Sequence, residues 1–159
     1  MTALRSARLL IGPLLGAAAR VAVGVLWLIE GTLKYRSGFG AADIELVAQS
    51  AQGNTRVPDF FDPLGAAMTS ASALFGVAIP ALEVGLGVLL VSGLLTRTAA
   101  FVSIGTLALY WSADQLIAQY PVMVVLSATV LVFVASGRFG VDGWVRARRA
   151  KRPVEGPGD

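Results

Sequence analysis

Residues 19–34, which read ARVAVGVLWLIEGTLK, decide the fold of this chain. The stretch is apolar enough to lie in a bilayer, yet it contains Arg20, Glu30 and Lys34. Charged groups at membrane depth are costly, so they usually mark a pathway, a binding site or a buried pair. Because residues three or four apart share one face of a helix, the spacing predicts a stripe of charged, small and aromatic residues, namely Arg20, Gly24, Trp27, Gly31 and Lys34.

The same helix is predicted to have an internal ion pair and a face that suits lipid. Glu30 precedes Lys34 by four residues, the spacing at which two side chains meet on a helix surface. The face opposite the stripe is aliphatic and consists of Val21, Val25 and Leu28, with Ala22 and Ile29 beside them.

The composition is that of a membrane protein. The chain has 159 residues, of which 55% are hydrophobic and only 14% are charged, and its mean hydropathy is +0.71. A span needs about 20 residues, which leaves room for about four spans and their connections. We therefore expect an all-α fold, a four-transmembrane-helix bundle over residues 1–145, followed by a basic, disordered tail over residues 146–159.

The residue types exclude several kinds of chemistry. The sequence has no cysteine and no histidine, so disulfides, thiolate catalysis, haem held by histidine and the usual zinc or copper sites are excluded within this chain. No flavin motif is present either, and we predict that the chain itself binds no metal and no flavin. The net charge of +3 comes from basic residues at both ends, beside apolar segments, which favours anionic lipid headgroups over nucleic acid as partners.

Four apolar segments are predicted to span the membrane, at about residues 13–34, 66–95, 98–117 and 121–136. The first begins like a signal peptide, but apolar sequence continues past Arg20 to Leu33, so we expect an uncleaved span. The second is longer than a bilayer needs and contains Pro80. It should tilt, kink at this proline or begin as a surface extension.

The connection over residues 35–64 is unusually long for a loop without structure of its own. Ile44, Val47, Ala48 and Ala51 recur at helical spacing, and the turn-rich segment VPDFFDPLG follows. One interpretation is a short surface helix, with Phe60 and Phe61 inserted into the membrane interface. The other is a plain connector.

Basic residues flank the predicted spans unevenly, which predicts that both termini are cytoplasmic and that the long loop faces outward. The segments assigned to the cytoplasm contain Arg5, Arg8, Arg97 and a C-terminal series from Arg138 to Arg152. In the long loop, the basic residues are offset by the acidic residues Asp43, Glu45, Asp59 and Asp62.

Arg20 and Glu83 are the candidate reactive pair. At 1.5 Å rise per residue their axial offset in the bilayer is roughly 7 to 8 Å, within the reach of an arginine that leans toward a glutamate. The pair could supply a proton or hydrogen bonds to a polar headgroup, or it could be a structural bridge. A third interpretation is that Arg20 extends to the membrane interface without a partner.

Four other residues are candidates for binding a substrate or quinone: Trp27, Glu30, Lys34 and Asp114. Glu30, Lys34 and Asp114 are expected near the outer interface, where they could be partly hydrated. Trp27 could equally be a packing residue. Arg97 and Pro80 are assigned structural roles.

Three segments resemble the DoxX family of membrane proteins. RVAVGVLWLIEGTLK resembles the arginine, glycine, tryptophan, glycine and lysine pattern that opens these proteins. PALEVGLGVLLVSGLLTRTAA resembles their second helix, and SGRFGVDGW resembles their C-terminal signature. The long loop and GLLTRTAA are most similar to DoxD, the membrane subunit of thiosulfate:quinone oxidoreductase.

The resemblance implies a four-helix bundle in a prokaryotic inner membrane, a link to quinone or redox stress, and a partner subunit. Five residues of this chain match the family pattern: Arg20, Trp27, Lys34, Glu83 and Arg97. Without cysteine, any sulfur chemistry would need direct oxidation or a partner.

Three functions follow as hypotheses. The first is a quinone-linked oxidoreductase subunit that uses Arg20 and Glu83. The second is a non-catalytic subunit that anchors a larger complex, or a homo-oligomer, through Gly12, Gly16 and the basic tail. The third is a small transporter, which ranks last because no internal inverted repeat is evident.

Overall fold

The computed structural model describes the backbone of residues 2–151 and the side chains of residues 11–151. Every regular element within that range is an α-helix, so the predicted all-α class is confirmed. The helices are α1 (Thr2–Ser37), α2 (Ala41–Ala51), α3 (Phe61–Ser70), α4 (Ser72–Ser92), α5 (Thr96–Ser112), α6 (Tyr120–Val132) and α7 (Val141–Ala150).

Four of these helices form a bundle in which each contacts two neighbours. Helix α1 packs against α4 and α6, and α5 packs against the same two helices. Val23, Trp27, Leu90, Met123 and Val130 are fully buried in the resulting core. By length and composition, α4 and the part of α1 from Ile11 to Ser37 could each cross a membrane, whereas α6 is apolar but shorter.

Small residues bring α1 and α4 close together. A Cβ atom added at Gly24 would lie 2.8 Å from Val91 Cγ2, and one at Gly31 would lie 2.7 Å from Val84 Cγ2. In the other direction, a Cβ at Gly87 would lie 2.6 Å from Leu28 Cγ. The predicted stripe of α1 therefore faces α4, and the close approach is possible because these positions lack side chains.

The face of α1 predicted to suit lipid is exposed, but the prediction is wrong for Leu28, which packs against Gly87 of α4. Val21, Val25 and Ile29 are each about two-fifths exposed in the isolated chain, at 40%, 43% and 45%. A helix that borders hydrocarbon has aliphatic side chains on the face that points away from the bundle, as α1 has here.

The helix ends differ from the predicted spans, and α1 extends beyond the predicted 13–34 at both ends. The second span is interrupted at Ala71, so its first residues form the separate helix α3, which agrees with an extension, one of the three alternatives predicted for this span. The third ends at Ser112, because the chain turns at Asp114, which adopts a left-handed φ of 58°. The fourth ends at Val132, four residues before the predicted boundary at Ser136.

The loop after α1 carries helical structure, as the first of the two interpretations predicts. Helices α2 and α3 pack on each other and on α4, around Ile44, Phe61 and Met68. The prediction that both phenylalanines insert into the membrane interface is wrong for Phe61, which is 2% exposed inside this cluster. Phe60 remains 61% exposed.

Residues near the C-terminus form a helix where disorder is predicted. Helix α7 continues to Ala150, so the prediction is wrong for residues 146–150, and residues 152–159 lie outside the described residues. Helix α7 is held against the end of α4 because the backbone N–H of Asp142 donates to the carbonyl of Gly93 (2.9 Å). Close contact between Gly140 and Gly93 joins the start of α7 to the end of α4.

Gly12 and Gly16 pack within the chain. A Cβ at Gly16 would lie 2.8 Å from Ser136 Cβ, and one at Gly12 would lie 3.2 Å from the ring of Phe133. The segment that follows α6 therefore covers this face of α1, which removes the basis for an anchoring surface at the two glycines.

Candidate functional site

A buried carboxylate lies at the centre of the candidate site. Glu83, in the middle of α4, is fully buried, and its Oε1 atom accepts two hydrogen bonds. Lys34 Nζ donates one over 2.6 Å, and the Tyr110 hydroxyl donates the other over 2.7 Å. Lys34 and Glu83 therefore form an ion pair between α1 and α4, with α5 contributing the phenol.

A second carboxylate extends the network to α6. Glu30 Oε2 lies 3.5 Å from Lys34 Nζ, so the ion pair predicted from their spacing is confirmed. The other oxygen of Glu30 accepts a hydrogen bond from the amide of Gln119, the residue before α6. The ring of Tyr120 packs on that of Tyr110, with centroids 5.6 Å apart. One charged network thus links all four bundle helices.

Two polar atoms in this network have no hydrogen-bond partner within the described part of the chain. They are Glu83 Oε2 and the hydroxyl oxygen of Tyr120, and both are buried. Buried polar groups in folded proteins almost always have a partner, so each exception needs an explanation, such as a water or a bound ligand. Glu83 has one oxygen with two donors and one with none, an arrangement in which the bare oxygen can accept a donor or hold a proton.

An apolar cavity of about 190 Å³ adjoins the network. Its wall includes Lys34 and Tyr110, which are the two donors to Glu83. Most of the remaining lining is hydrophobic and comes from α2 and α3 together with the facing parts of α4 and α5, including Phe39, Ile44, Phe61, Met68, Phe75 and Leu109. The ammonium of Lys34 also lies 5.8 Å from the Phe39 ring centroid and 5.5 Å from that of Tyr110, within cation–π range.

Helices α2 and α3 cover this cavity and are tied to the end of α5 by Asp114. Arg56 Nη2 lies 2.5 Å from Asp114 Oδ2, and Asn54 Nδ2 donates to the same oxygen over 2.9 Å. Hydrogen bonds from Arg56 and then Asn54 hold the pKa of the Asp114 carboxyl below its usual range. Asp114 thus holds α2 and α3 in place over the cavity, but it is not one of the residues that line the cavity.

The predicted pair of Arg20 with Glu83 is not formed. Arg20 Nη1 donates instead to the carbonyls of Leu90 (2.5 Å) and Val91 (2.9 Å), in the last turn of α4. Carbonyls in the last turn of a helix have no partner within the helix, and the helix dipole favours a cation there. Arg20 is therefore held at the opposite end of α4 from the cavity.

Trp27 lies beneath the network as a buried packing residue. Its indole N–H donates to the Ser103 hydroxyl over 2.7 Å, and Ser103 is 2.9 Å from Ser127. Its ring meets Tyr110 edge-on, with centroids 6.4 Å apart, but it does not line the cavity. The tryptophan thus supports Tyr110 from the core side.

Arg97 and Pro80 occupy structural positions. Arg97, in the first turn of α5, donates to the carbonyl of Leu131 on α6 over 3.0 Å. Pro80 lies inside α4 without breaking it, and its carbonyl oxygen would be 3.0 Å from a Cβ added at Gly31. Both residues therefore contribute to helix packing.

Sequence reasoning misses Tyr110, Gln119 and Asp142. Tyr110 and Gln119 flank the turn between the last two bundle helices, where polar residues in an otherwise apolar region are the available signal. Asp142 accepts hydrogen bonds from the backbone N–H groups of Leu95 (3.0 Å) and Thr96 (2.9 Å) at the start of α5. Burial opposes ionisation of Asp142, but hydrogen bonds from Thr96 and Leu95 outweigh it, so the pKa of this carboxyl lies below its usual value.

Comparison with family models gives one match. The model described as DoxX matches residues 15–113, which is well over half of the chain. The matched range contains Glu30, Lys34, Glu83 and Tyr110 but not Gln119 or the C-terminal segment SGRFGVDGW. Comparisons with curated proteins and with solved structures find no match. The chain belongs to the DoxX family of membrane proteins.

Proposed function

We propose that this protein is a quinone-linked oxidoreductase subunit of the DoxD-like kind, in which the cavity beneath α2 and α3 receives the quinone headgroup. The observation that carries the proposal is the position of Lys34 and Tyr110. Both donate to one oxygen of Glu83, both line the apolar cavity, and the second oxygen of Glu83 is buried without a partner.

The size and polarity of the cavity support a flat, mostly apolar headgroup. Its volume of about 190 Å³ is below the 300 to 1,000 Å³ typical of sites for drug-sized ligands, so it suits a single ring system. A quinone has an apolar ring and two carbonyl acceptors. The ammonium of Lys34 has three N–H donors, of which two point to Glu83 and Glu30, so one remains for a quinone carbonyl. The single hydrogen of the Tyr110 hydroxyl is donated to Glu83, so Tyr110 donates to the carbonyl only after it turns away from Glu83.

Each residue has a distinct role in this proposal. Lys34 binds a carbonyl, Tyr110 orients it when its hydroxyl turns from Glu83 to the quinone, and Glu83 holds or releases a proton through its bare oxygen. Glu30 and Gln119 fix the position of Lys34, and the cover formed by α2 and α3 excludes water. When bound, a quinone would accept two electrons and two protons. The electrons are proposed to come from a substrate or partner on the outer side.

Arg20 has no part in this revised site. Its guanidinium is committed to the carbonyls of Leu90 and Val91, at the other end of α4 from the cavity. We therefore assign Arg20 to closure of the α4 C-terminus and replace it with Lys34 as the cation of the site.

The proposal includes a topology of four membrane spans formed by α1, α4, α5 and α6. Their mutual packing in a ring supports it, since α5 and α6 could not leave the membrane without uncovering the apolar faces of α1 and α4. The excess of Lys and Arg in the terminal flanks favours cytoplasmic termini in a prokaryotic plasma membrane, with α2 and α3 outside.

A second candidate function is a non-catalytic accessory subunit of a respiratory or redox complex, or a homo-oligomeric membrane component. One observation favours it: the network of Glu30, Lys34, Glu83, Tyr110 and Gln119 connects all four bundle helices, as a purely structural network would. In that case the charges fix helix register, and the cavity has no redox role.

Mass spectrometry of the gently solubilised native protein separates the two candidates. The quinone proposal predicts stoichiometric quinone in the wild-type protein and a reduced amount in Tyr110→Phe, which removes one hydroxyl and keeps the ring. Glu83→Gln should also reduce the bound quinone. Its matched control is Glu45→Gln, because Glu45 accepts a hydrogen bond from Ser72 and does not line the cavity. Large protein partners without quinone would support the accessory function and refute the quinone site.

A further inference from the structure

The end of the bundle opposite the cavity has a surface pocket of about 480 Å³. It lies where α4 ends and α5 begins, and α7 forms one wall. Three of its lining residues are arginines: Arg97 from α5, and Arg146 and Arg149 from α7. Each of the three side chains belongs to an exposed residue.

The arginines of α7 reach this pocket because of their helical spacing. Asp142 is followed on one helix face by the residues three, four and seven positions later, which are Val145, Arg146 and Arg149, and this face lines the pocket. Arg148 belongs to another face, where its guanidinium stacks on Trp144 with 3.8 Å between Cζ and the ring centroid. Arg146 and Arg149 therefore lie on the pocket side of α7, whereas Arg148 lies on another side and covers the ring of Trp144.

The charge of the pocket is not neutralised by an ion pair inside the described part of the chain. Asp142 is the acidic lining residue, and it accepts hydrogen bonds from the backbone N–H groups of Leu95 and Thr96. No salt bridge between described residues includes Arg97, Arg146 or Arg149. The pocket therefore presents more positive than negative charge.

The same pocket has an apolar side. Leu94, Leu95 and Val134 line it and are 39%, 56% and 71% exposed, respectively. They follow directly on the apolar helices α4 and α6, so in the proposed four-span topology they lie where the hydrocarbon region of a bilayer ends and lipid headgroups begin. Guanidinium groups beside exposed aliphatic side chains match an amphiphile better than a free anion.

We propose that this pocket is a binding site for the phosphate of an anionic phospholipid, with its acyl chain against Leu94, Leu95 and Val134. Guanidinium groups suit this ligand because their planar N–H donors match phosphate oxygens in pairs. The site is separate from the quinone cavity and does not depend on it. Its occupant would hold α7 flat against the membrane surface.

The test is native mass spectrometry of the full chain in detergent with added phosphatidylglycerol, phosphatidylcholine or inorganic phosphate. The pocket variant is Arg146→Gln/Arg149→Gln. The matched control is Arg138→Gln/Arg148→Gln, which removes the same charge from exposed residues at the same end of the bundle that do not line the pocket. Thermal unfolding without lipid checks that both variants fold.

We expect one phosphatidylglycerol bound per chain and an affinity about 30-fold weaker in the pocket variant, because each arginine near an anionic headgroup contributes about a fivefold factor. The control should change less than about threefold. Equal losses in both variants would overturn the proposal, as would equal binding of phosphatidylcholine. Displacement of the lipid by millimolar inorganic phosphate would overturn the lipid assignment in favour of a free anion. If the pocket variant does not fold, Arg97→Gln tests the pocket from α5, with an expected loss of about fivefold and Arg138→Gln as the control that removes one charge.

Discussion

Removing Lys34 should destabilise the bundle because it leaves the Glu83 carboxylate buried without a counter-charge. Glu83 is fully buried, whereas the Lys34 side chain is 17% exposed and lies 2.6 Å from it. Breaking one side of a buried ion pair costs about 3 to 5 kcal/mol. Because the Tyr110 hydrogen bond to Glu83 remains, we expect Lys34→Met to lower the free energy of unfolding by about 3 kcal/mol.

A double-mutant cycle measures whether the two charges are coupled. Glu83→Leu removes the other partner and should cost a similar amount, while Lys34→Met/Glu83→Leu leaves neither charge buried alone. The double variant should therefore be more stable than the sum of the single changes predicts, by about 2 to 3 kcal/mol.

The assay is equilibrium unfolding of the purified protein in mixed micelles. Arg36→Met is the matched control, since Arg36 is exposed two residues along α1 and forms no ion pair among the described residues. Arg36→Met should change the free energy of unfolding by no more than about 0.5 kcal/mol. A coupling energy below about 0.5 kcal/mol between Lys34 and Glu83 would refute the reasoning, because the pair would then contribute no more than a surface contact.

Three further predictions concern helix packing, a helix cap and the cavity cover. Gly87→Ala should destabilise the bundle by about 1 to 3 kcal/mol, because its Cβ would lie 2.6 Å from Leu28 Cγ. Gly85→Ala, where nothing lies within 4 Å, should be neutral or stabilise by up to about 1 kcal/mol; thermal unfolding that ranks the two variants in the reverse order would contradict the packing. Asp142→Ala should cost about 1 kcal/mol at pH 7 through loss of the α5 cap. Since the folded pKa of Asp142 is depressed, its stabilisation is complete above about pH 4 and is lost as the pH falls through that folded pKa, so wild type and variant should converge in acid; a gap unchanged with pH would argue against the cap. Asp114→Asn should speed amide hydrogen exchange in α2 and α3 but not in α6, because Arg56 loses its partner. Unchanged exchange in α2 and α3 would show that the cover is held by its apolar contacts alone.

Much of the fold can be predicted from the sequence because hydrophobic periodicity determines it. The stripe on α1 and its lipid face follow from spacing alone, and both agree with the burial of Gly24 and the exposure of Val25. The helix ends are less predictable. Asp114 ends α5 through a left-handed backbone conformation, which the local sequence does not require.

The candidate site could be predicted in part. The spacing of Glu30 and Lys34 identifies their pair, and the position of Glu83 in an apolar helix identifies it as important. Its partner could not be predicted, because the predicted span ends place Arg20 roughly 7 to 8 Å but Lys34 about 14 Å from Glu83 along the helix axes, which favours the wrong cation. The carbonyls of Leu90 and Val91, in the last turn of α4, decide between the two cations, since they bind Arg20 at that end of the helix.

Tyr110 lies outside what spacing can reveal. Its hydroxyl meets Glu83 across 27 residues of sequence, so only the packing of α5 against α4 brings the two groups together. Long-range contacts of this kind depend on how each helix is rotated about its own axis. Because apolar residues are spread almost evenly around α5, its sequence does not determine which face points to α4.

Quinone quenching of Trp27 fluorescence tests the central claim most directly. Trp27 is buried with its ring centroid 6.4 Å from that of Tyr110, and Trp111→Phe/Trp144→Phe leaves it as the only tryptophan of the chain. Titration with a short-chain ubiquinone should give saturable quenching, with an affinity about tenfold weaker after Tyr110→Phe, the effect of one lost hydrogen bond of about 1.4 kcal/mol. Quenching that rises linearly without saturation, and equally in both proteins, would contradict a quinone site beside Tyr110 and Glu83.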